Sequence, residues 1–421
     1  MGRRRSTGRT ESINRPLVAK HSPEGNASLK LGAGSSAAVA YIWYYLSRVC
    51  KTPSLYFKDG PLSRIILQHC PILQKPFAPT PWAFNGHAQT LLSVGRQFWR
   101  DSDYRRQALI TPDGGLIALD WYHGSDTLPE LDQYTPILMV FHGLTGGSRE
   151  GYCKAICAAA LQKGWRAAVL NYRGCAGLPL TTSRTYSAAF TDDAHFAVEE
   201  IQRRFPDAPL FAAGYSLGSL ILTKYLAEAD TGKWVGEGSG ITCAALVSGP
   251  GCMSTAAESL HKPWTAGYLY NLVLAFRLRD YCKEHEHHIS SHAAIDDLKR
   301  TATLSQIDET VICKIFGYSS TEEYYRDGSS QQYIPHISTP SLFLVAKDDP
   351  FLGQVPVEEC SANPNTILAV TARGGHVAFI DGLWPFGRAW MDNVVIDFFS
   401  ACHQNRSELP HQDRVRPRGR L

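Results

Sequence analysis

The sequence predicts an α/β fold, a mostly parallel sheet with helices on both faces. Three observations predict it. Short apolar runs alternate with helical stretches between Pro136 and Phe399. One of those runs, Leu210 to Ala213, leads through Gly214-Tyr215-Ser216-Leu217-Gly218 into residues at helical spacing. An aspartate pair and a histidine each follow a later apolar run. Continuously apolar strands separated by helices are those of parallel sheets, which right-handed crossovers cover on both sides.

In chain order, residues 1–30 carry seven Lys and Arg with few apolar residues and are expected to be disordered. Residues 31–47 (LGAGSSAAVAYIWYYLS) carry no charge, and Tyr41, Trp43, Tyr44 and Tyr45 suit a membrane interface. A transmembrane anchor is the reading, against a buried or surface-lying helix. More positive charge precedes this run than follows it, which predicts a cytosolic N-terminus and a type II arrangement. The many cysteines sit more comfortably in the cytosol, so the side that carries the body stays open. Residues 48–105 read as an N-terminal extension. Within it, Pro61 to Trp99 mixes Pro, aromatic and apolar residues and is expected to wrap the core with little regular structure.

The main domain is predicted over residues 106–403. Gln107 to Thr111 and Leu116 to Trp121 flank Pro112-Asp113-Gly114-Gly115, a hairpin signal. The predicted elements then run as strand Pro136 to Phe141, helix Tyr152 to Lys163, strand Arg166 to Leu170, helix Asp192 to Phe205 and the Leu210 strand. Strand Ala244 to Val247 follows. From about 251 to 331 the alternation stops, and amphipathic stretches such as Tyr268 to Tyr281 and Thr303 to Phe316 predict a helical cap insertion. Strands Ser341 to Val345 and Thr366 to Val370 resume the sheet, and a helix over Trp384 to Phe399 closes it. Residues 404–421, polar and basic, are expected to form a loose tail.

Composition excludes several function classes. With 44% hydrophobic and 19% charged residues over 421, the chain is globular; a net charge of +3, concentrated at the ends, offers no nucleic-acid stripe. Eleven cysteines without a C-x-x-C pair argue against a disulfide framework or zinc site, and Cys153 and Cys157 read as helix packing. Glu284 to His288 with His292 reads as a solvated face rather than a metal site. No phosphate-cradling glycine loop is found, so neither cofactor nor metal is expected.

A serine hydroxyl is a weak nucleophile at neutral pH. It needs an imidazole to take its proton and a carboxylate to fix that imidazole's tautomer. Glycines on either side of Ser216 allow the sharp strand-to-helix turn that projects the hydroxyl clear of the sheet. Asp349 and His376 follow later strands, which puts all three at one sheet edge. Asp348, adjacent to Asp349, remains the alternative acid. The N–H groups of Leu217 and of Leu144, just after His142-Gly143, are the expected oxyanion donors.

Five motifs resemble one α/β-hydrolase family: Asn85-Gly86-His87-Ala88-Gln89-Thr90, His142 to Ser148, Asn171-Tyr172-Arg173-Gly174-Cys175, Gly214 to Gly218, and Gly375-His376-Val377-Ala378-Phe379. A sixth runs from Asp308 through Gly317-Tyr318 and Glu323-Tyr324-Tyr325 to Asp348-Asp349. The family is the abhydrolase-domain group of YheT-type esterases, plant embryogenesis-associated hydrolases, yeast medium-chain ester hydrolases and animal single-pass phospholipases. His69-Cys70-Pro71 and Pro79 to Gln89 resemble the animal branch, although Ala83 and Asn85 stand where that branch leads one to expect cysteine and glutamate.

The resemblance implies the α/β-hydrolase fold and a Ser216, Asp349, His376 triad. It implies hydrolysis of lipid esters, in particular phosphatidylcholines with medium-chain or oxidatively truncated acyl groups, by a single-pass membrane protein such as one of the endoplasmic reticulum. The alternatives are acyl transfer to an alcohol, a monoacylglycerol or short-chain esterase, and a non-catalytic membrane-tethered binding protein.

Overall fold

Strands Ser54–Phe57 (β1), Asp103–Ile110 (β2), Leu116–His123 (β3), Ile137–Phe141 (β4), Arg166–Asn171 (β5), Leu210–Tyr215 (β6), Cys243–Val247 (β7), Ser341–Ala346 (β8) and Thr366–Thr371 (β9) join in one sheet. Its order is β1-β9-β8-β7-β6-β4-β5-β3-β2. The six strands from β4 to β9 pair in parallel, whereas β1 on β9 and the β2–β3 hairpin on β5 are antiparallel. The computed structural model describes residues 36–96, 103–123, 132–234, 238–262, 264–292, 298 and 301–409.

Apart from half-buried Arg166 at the start of β5, the parallel strands are buried throughout because both faces are covered. Ile137, Met139 and Phe141 of β4 face one core with helices Asp192–Arg204 and Leu217–Asp230. Leu138 and Val140 face a second core with Pro61–His69, Gly151–Gln162 and Trp390–Gln404. Cys153 and Cys157 lie buried in that second core as free thiols. Between β7 and β8 stand cap helices, including Met253–His261, Ala266–Glu284 and Thr321–Gly328. The Thr303 to Phe316 stretch is helical with a π turn, Asp308–Ile312, in its middle.

Several expectations are corrected. The segment after Pro61 is not irregular. Pro61–His69 buries Leu62, Ile65 and Ile66, and Gly86–Gly95 starts where the Asn85 side chain accepts from Ala88 N–H at 2.9 Å. Strand Ser54–Phe57 was not anticipated. The closing helix starts at Trp390, not Trp384, because Pro385 and Gly387 interrupt it and Asp392 caps the Ala389 N–H at 2.7 Å. Of the expected tail, residues 404–409 are ordered and Leu409 is buried, whereas 410–421 lie outside the described residues.

The chain divides into two compact units, Met1–Leu46 and Ser47–Leu421. In the first, residues 36–44 are helical and Val39, Ile42, Trp43 and Leu46 are exposed. The expected disorder of 1–30 and the first five positions of the expected anchor lie outside the described residues. Among the described residues no helix is long and apolar enough to cross a membrane.

One buried ion pair ties the N-terminal extension to the closing helix. Arg96 donates to Asp392 Oδ2 at 2.8 Å and to the Gly387 carbonyl at 2.7 Å, with both side chains almost fully buried. Removing one partner of such a pair strands a charge, so Asp392→Ala is expected to lower unfolding free energy by about 3–5 kcal/mol. Urea denaturation followed by tryptophan fluorescence measures it.

Candidate active site

Ser216 sits between β6 and Leu217–Asp230 with φ 53° and ψ −120°, a conformation sparsely populated for a residue with a Cβ. The turn closes only because its neighbours lack side chains. A Cβ on Gly214 would stand 2.6 Å from the Gly218 carbonyl oxygen, and one on Gly218 would strike the backbone of Phe141. The Ser216 N–H donates to Val247 O at 2.9 Å, which ties the strained residue to the next strand.

The loops after β8 and β9 meet this serine. His376 Nε2 lies 2.8 Å from Ser216 Oγ, and His376 Nδ1 lies 2.9 and 3.0 Å from the two Asp349 carboxylate oxygens. The carboxylate beside Nδ1 holds the proton there and leaves Nε2 as the acceptor for the serine hydroxyl. The Asp349 side chain is wholly buried, and its Oδ1 also accepts from Phe351 N–H at 2.8 Å. Asp348 does not reach the ring. Its Oδ1 accepts from Gly375 N–H at 3.0 Å and so shapes the histidine loop, while burial pushes its carboxyl above the usual range.

The N-terminal extension completes that loop. Thr90 Oγ1 accepts from the His376 backbone N–H at 2.9 Å and donates to Gly86 O at 2.7 Å. Gly375 has φ 60°, and a Cβ there would strike Gly86 O. The Val377 N–H donates to Ser248 Oγ at 3.0 Å. The role of Thr90 is not visible in the sequence, where the only signal is Asn85 as a helix cap.

On the other side of Ser216 stands the loop after β4. Gly143 lies against Ser216, its N–H donates to the Tyr152 hydroxyl at 2.8 Å, and the Thr145 N–H donates to the Tyr186 hydroxyl at 2.9 Å. The Leu144 N–H between them has no acceptor among the described residues. Leu217 N–H is the first amide of its helix, where amides have no intrahelical acceptor. His142 is fully buried and its imidazole is driven down to about 4 by that burial, so it is a neutral structural residue donating from Nδ1 to Gly143 O at 2.8 Å. The Glu284 to His288 stretch is not wholly a solvated face, because His285 is buried and bonds Gly174 O at 2.9 Å.

A crevice of about 20 Å³, room for about one water, opens behind Leu144 and Leu217. Leu278, Asp308, Val311 and Ile312 are among the residues that line it. Asp308 accepts from the Tyr325 hydroxyl at 2.8 Å, and burial raises its carboxyl to about 7. A wider hollow of about 310 Å³, between Arg105, Arg166 and Arg204, lies at the opposite, amino end of β5 and includes none of the three site residues.

The α/β hydrolase fold family matches over residues 136–383. The phospholipase ABHD3 of Mus musculus is 33% identical over 377 residues, covering 88% of this chain and 90% of that protein. A monoacylglycerol lipase of Saccharomyces cerevisiae is 32% identical over 290 residues, covering 67% of this chain and 63% of its own length. Among solved structures, the Pyrococcus furiosus esterase Pf2001 is 15% identical with a TM-score of 0.45, covering 72% of this chain and 90% of that one.

Two expectations follow from this geometry. Thr90→Val removes the acceptor of the partly buried His376 N–H and lets the imidazole drift, so the rate of Ser216 labelling by a fluorophosphonate should fall about tenfold, with Thr90→Ser restoring it. Asp308 keeps in the fold a proton that its unfolded form releases near pH 4. Its contribution to stability therefore falls as pH rises from about 4 to about 7. Asp308→Asn should remove that slope, so its melting temperature relative to wild type should rise between pH 5 and pH 8.

Proposed function

The chain belongs to the α/β-hydrolase fold family, and on that premise we propose that it is a serine hydrolase cleaving carboxylic esters of lipids through an acyl-enzyme on Ser216. The observation that carries the reading is the hydrogen-bonded chain from Ser216 Oγ through His376 to Asp349. Ser216 Oγ attacks the ester carbonyl as His376 Nε2 takes its proton. Asp349 holds the ring and stabilises the imidazolium. The tetrahedral oxyanion is held by the Leu217 and Leu144 N–H groups.

Collapse breaks the carbon–oxygen bond to the alcohol, which leaves with the proton from His376. Water then attacks the acyl-enzyme, gives its proton to His376, and the acid departs as Oγ takes that proton back. The reaction needs no cofactor.

For the substrate we assign phosphatidylcholines with medium-chain or oxidatively truncated acyl groups, a choice supported by the phospholipase relative. The acyl chain enters the crevice behind Leu144 and Leu217, whose apolar Leu278, Val311 and Ile312 suit it. One water's room does not hold such a chain, so the cap must part from the sheet edge on binding. A monoacylglycerol is the second reading, supported by the yeast relative's name. We assign the enzyme to a membrane through residues 31–47, supported by the exposed Val39, Ile42, Trp43 and Leu46.

Ser216→Ala is expected to lower turnover of medium-chain phosphatidylcholine by about 10⁴-fold or more, with folding intact by circular dichroism. Retained turnover removes the proposal. Product analysis with and without added glycerol separates hydrolysis from acyl transfer.

A further inference from the structure

Two helices beside the Ser216 site carry uncharged apolar stripes on their exposed faces, whereas Arg277 and Arg373 stand at their edges. On helix Gly86–Gly95, His87, Leu91 and Val94 share one face at helical spacing, and Leu91 and Val94 are 63% and 57% exposed. On helix Ala266–Glu284, Leu269, Val273 and Phe276 do the same, at 63%, 58% and 55%. The two helices meet where His87 Nδ1 lies 3.3 Å from the Tyr270 hydroxyl, and Tyr270 packs on Phe351, which packs on His376. Neither residues 86–95 nor 264–276 contain Asp, Glu, Lys or Arg.

Tryptophans border the stripes. Trp264 is fully exposed, and exposed Trp82 donates from its indole N–H to the carbonyl of exposed Leu383, next to exposed Trp384. Soluble surfaces scatter single apolar residues, whereas contiguous uncharged stripes mark an interaction surface.

We propose that these two helices and the 382–386 loop form a bilayer-docking face that seats the mouth of the site on the lipid surface. The occupant is the membrane interface, and two features argue for it. The face is bordered by tryptophans, the residues that favour the boundary between headgroups and acyl chains. It also adjoins, through Tyr270 and Phe351, the histidine of a site whose proposed substrate is a lipid ester, so the inference rests on that reading. Leu269, Val273 and Phe276 sink among the acyl chains, and the ester reaches Ser216 without crossing water. This attachment needs no transmembrane helix.

The test uses the full chain and the triple variant Leu91→Asp, Val273→Asp, Phe276→Asp, with vesicles of phosphatidylcholine and, separately, a water-soluble short-chain ester. Three charges forced against the interface should cut turnover of the vesicle substrate at least about tenfold, with turnover of the soluble ester unchanged. Leu91→Trp with Val273→Trp should shift the other way, with deeper quenching of tryptophan fluorescence by brominated lipids.

An unchanged ratio of vesicle to soluble turnover overturns the proposal. So does a wild-type dimer in sedimentation velocity that the triple variant dissolves, which assigns the face to a second copy. Absence of soluble-ester turnover in the wild type sinks the hydrolase reading instead, and quenching by brominated lipids still decides the docking face.

Discussion

The close approach of three backbones at the end of β6 constrains everything else in the site. Ser216 can hold its strained φ and ψ only where the helix that follows crosses directly over the end of β4, and Gly214 and Gly218 are what let the chains meet. The sheet then fixes the partners. Phe141 pairs with Gly214, Gly214 with Leu246, Val247 with Leu344, and Ala346 with Thr371. Parallel strands in that register deliver the loops carrying Leu144, Asp349 and His376 to the same edge, in reach of one hydroxyl. Strain at one residue is tolerated because neighbouring strands over-determine its position.

The loops themselves are held by side chains from distant parts of the sequence. Asp348 grips the Gly375 amide, Thr90 the His376 amide and Ser248 the Val377 amide, so three elements set one imidazole. The N-terminal extension is therefore part of the site's frame rather than a wrapping. The cap is tied to the body at several places, among them the Tyr281 hydroxyl donating to Arg173 O at 2.9 Å, the Ala188 N–H donating to the Tyr324 hydroxyl at 3.2 Å and Lys224 donating to Asp327 at 2.6 Å.

The parts of this arrangement that sequence shows are those with a simple pattern. Parallel strands are buried on both faces and read as unbroken apolar runs, and each of Ser216, Asp349 and His376 lies in the turn or loop that follows one. Helix Gly86–Gly95 escaped because its buried face consists of Gly86, Gln89 and Thr90, while Leu91 and Val94 point outward, so it has no inward apolar period. Strand Ser54–Phe57 is four residues at a sheet edge, only partly buried. The closing helix was expected too early because Leu383, Trp384 and Phe386 mimic helical spacing although all three are exposed in a loop. In both places apolar residues face water, and periodicity cannot tell an outward apolar face from a core.

The central claim, that the strained hydroxyl is the nucleophile, is tested most directly by trapping the intermediate. Intact-mass and peptide mass spectrometry after acid quench during turnover of a medium-chain nitrophenyl ester should show one acyl group added, mapped to Ser216. An acyl group on another residue, or turnover at full rate with no acylated protein after rapid quench, would contradict the account.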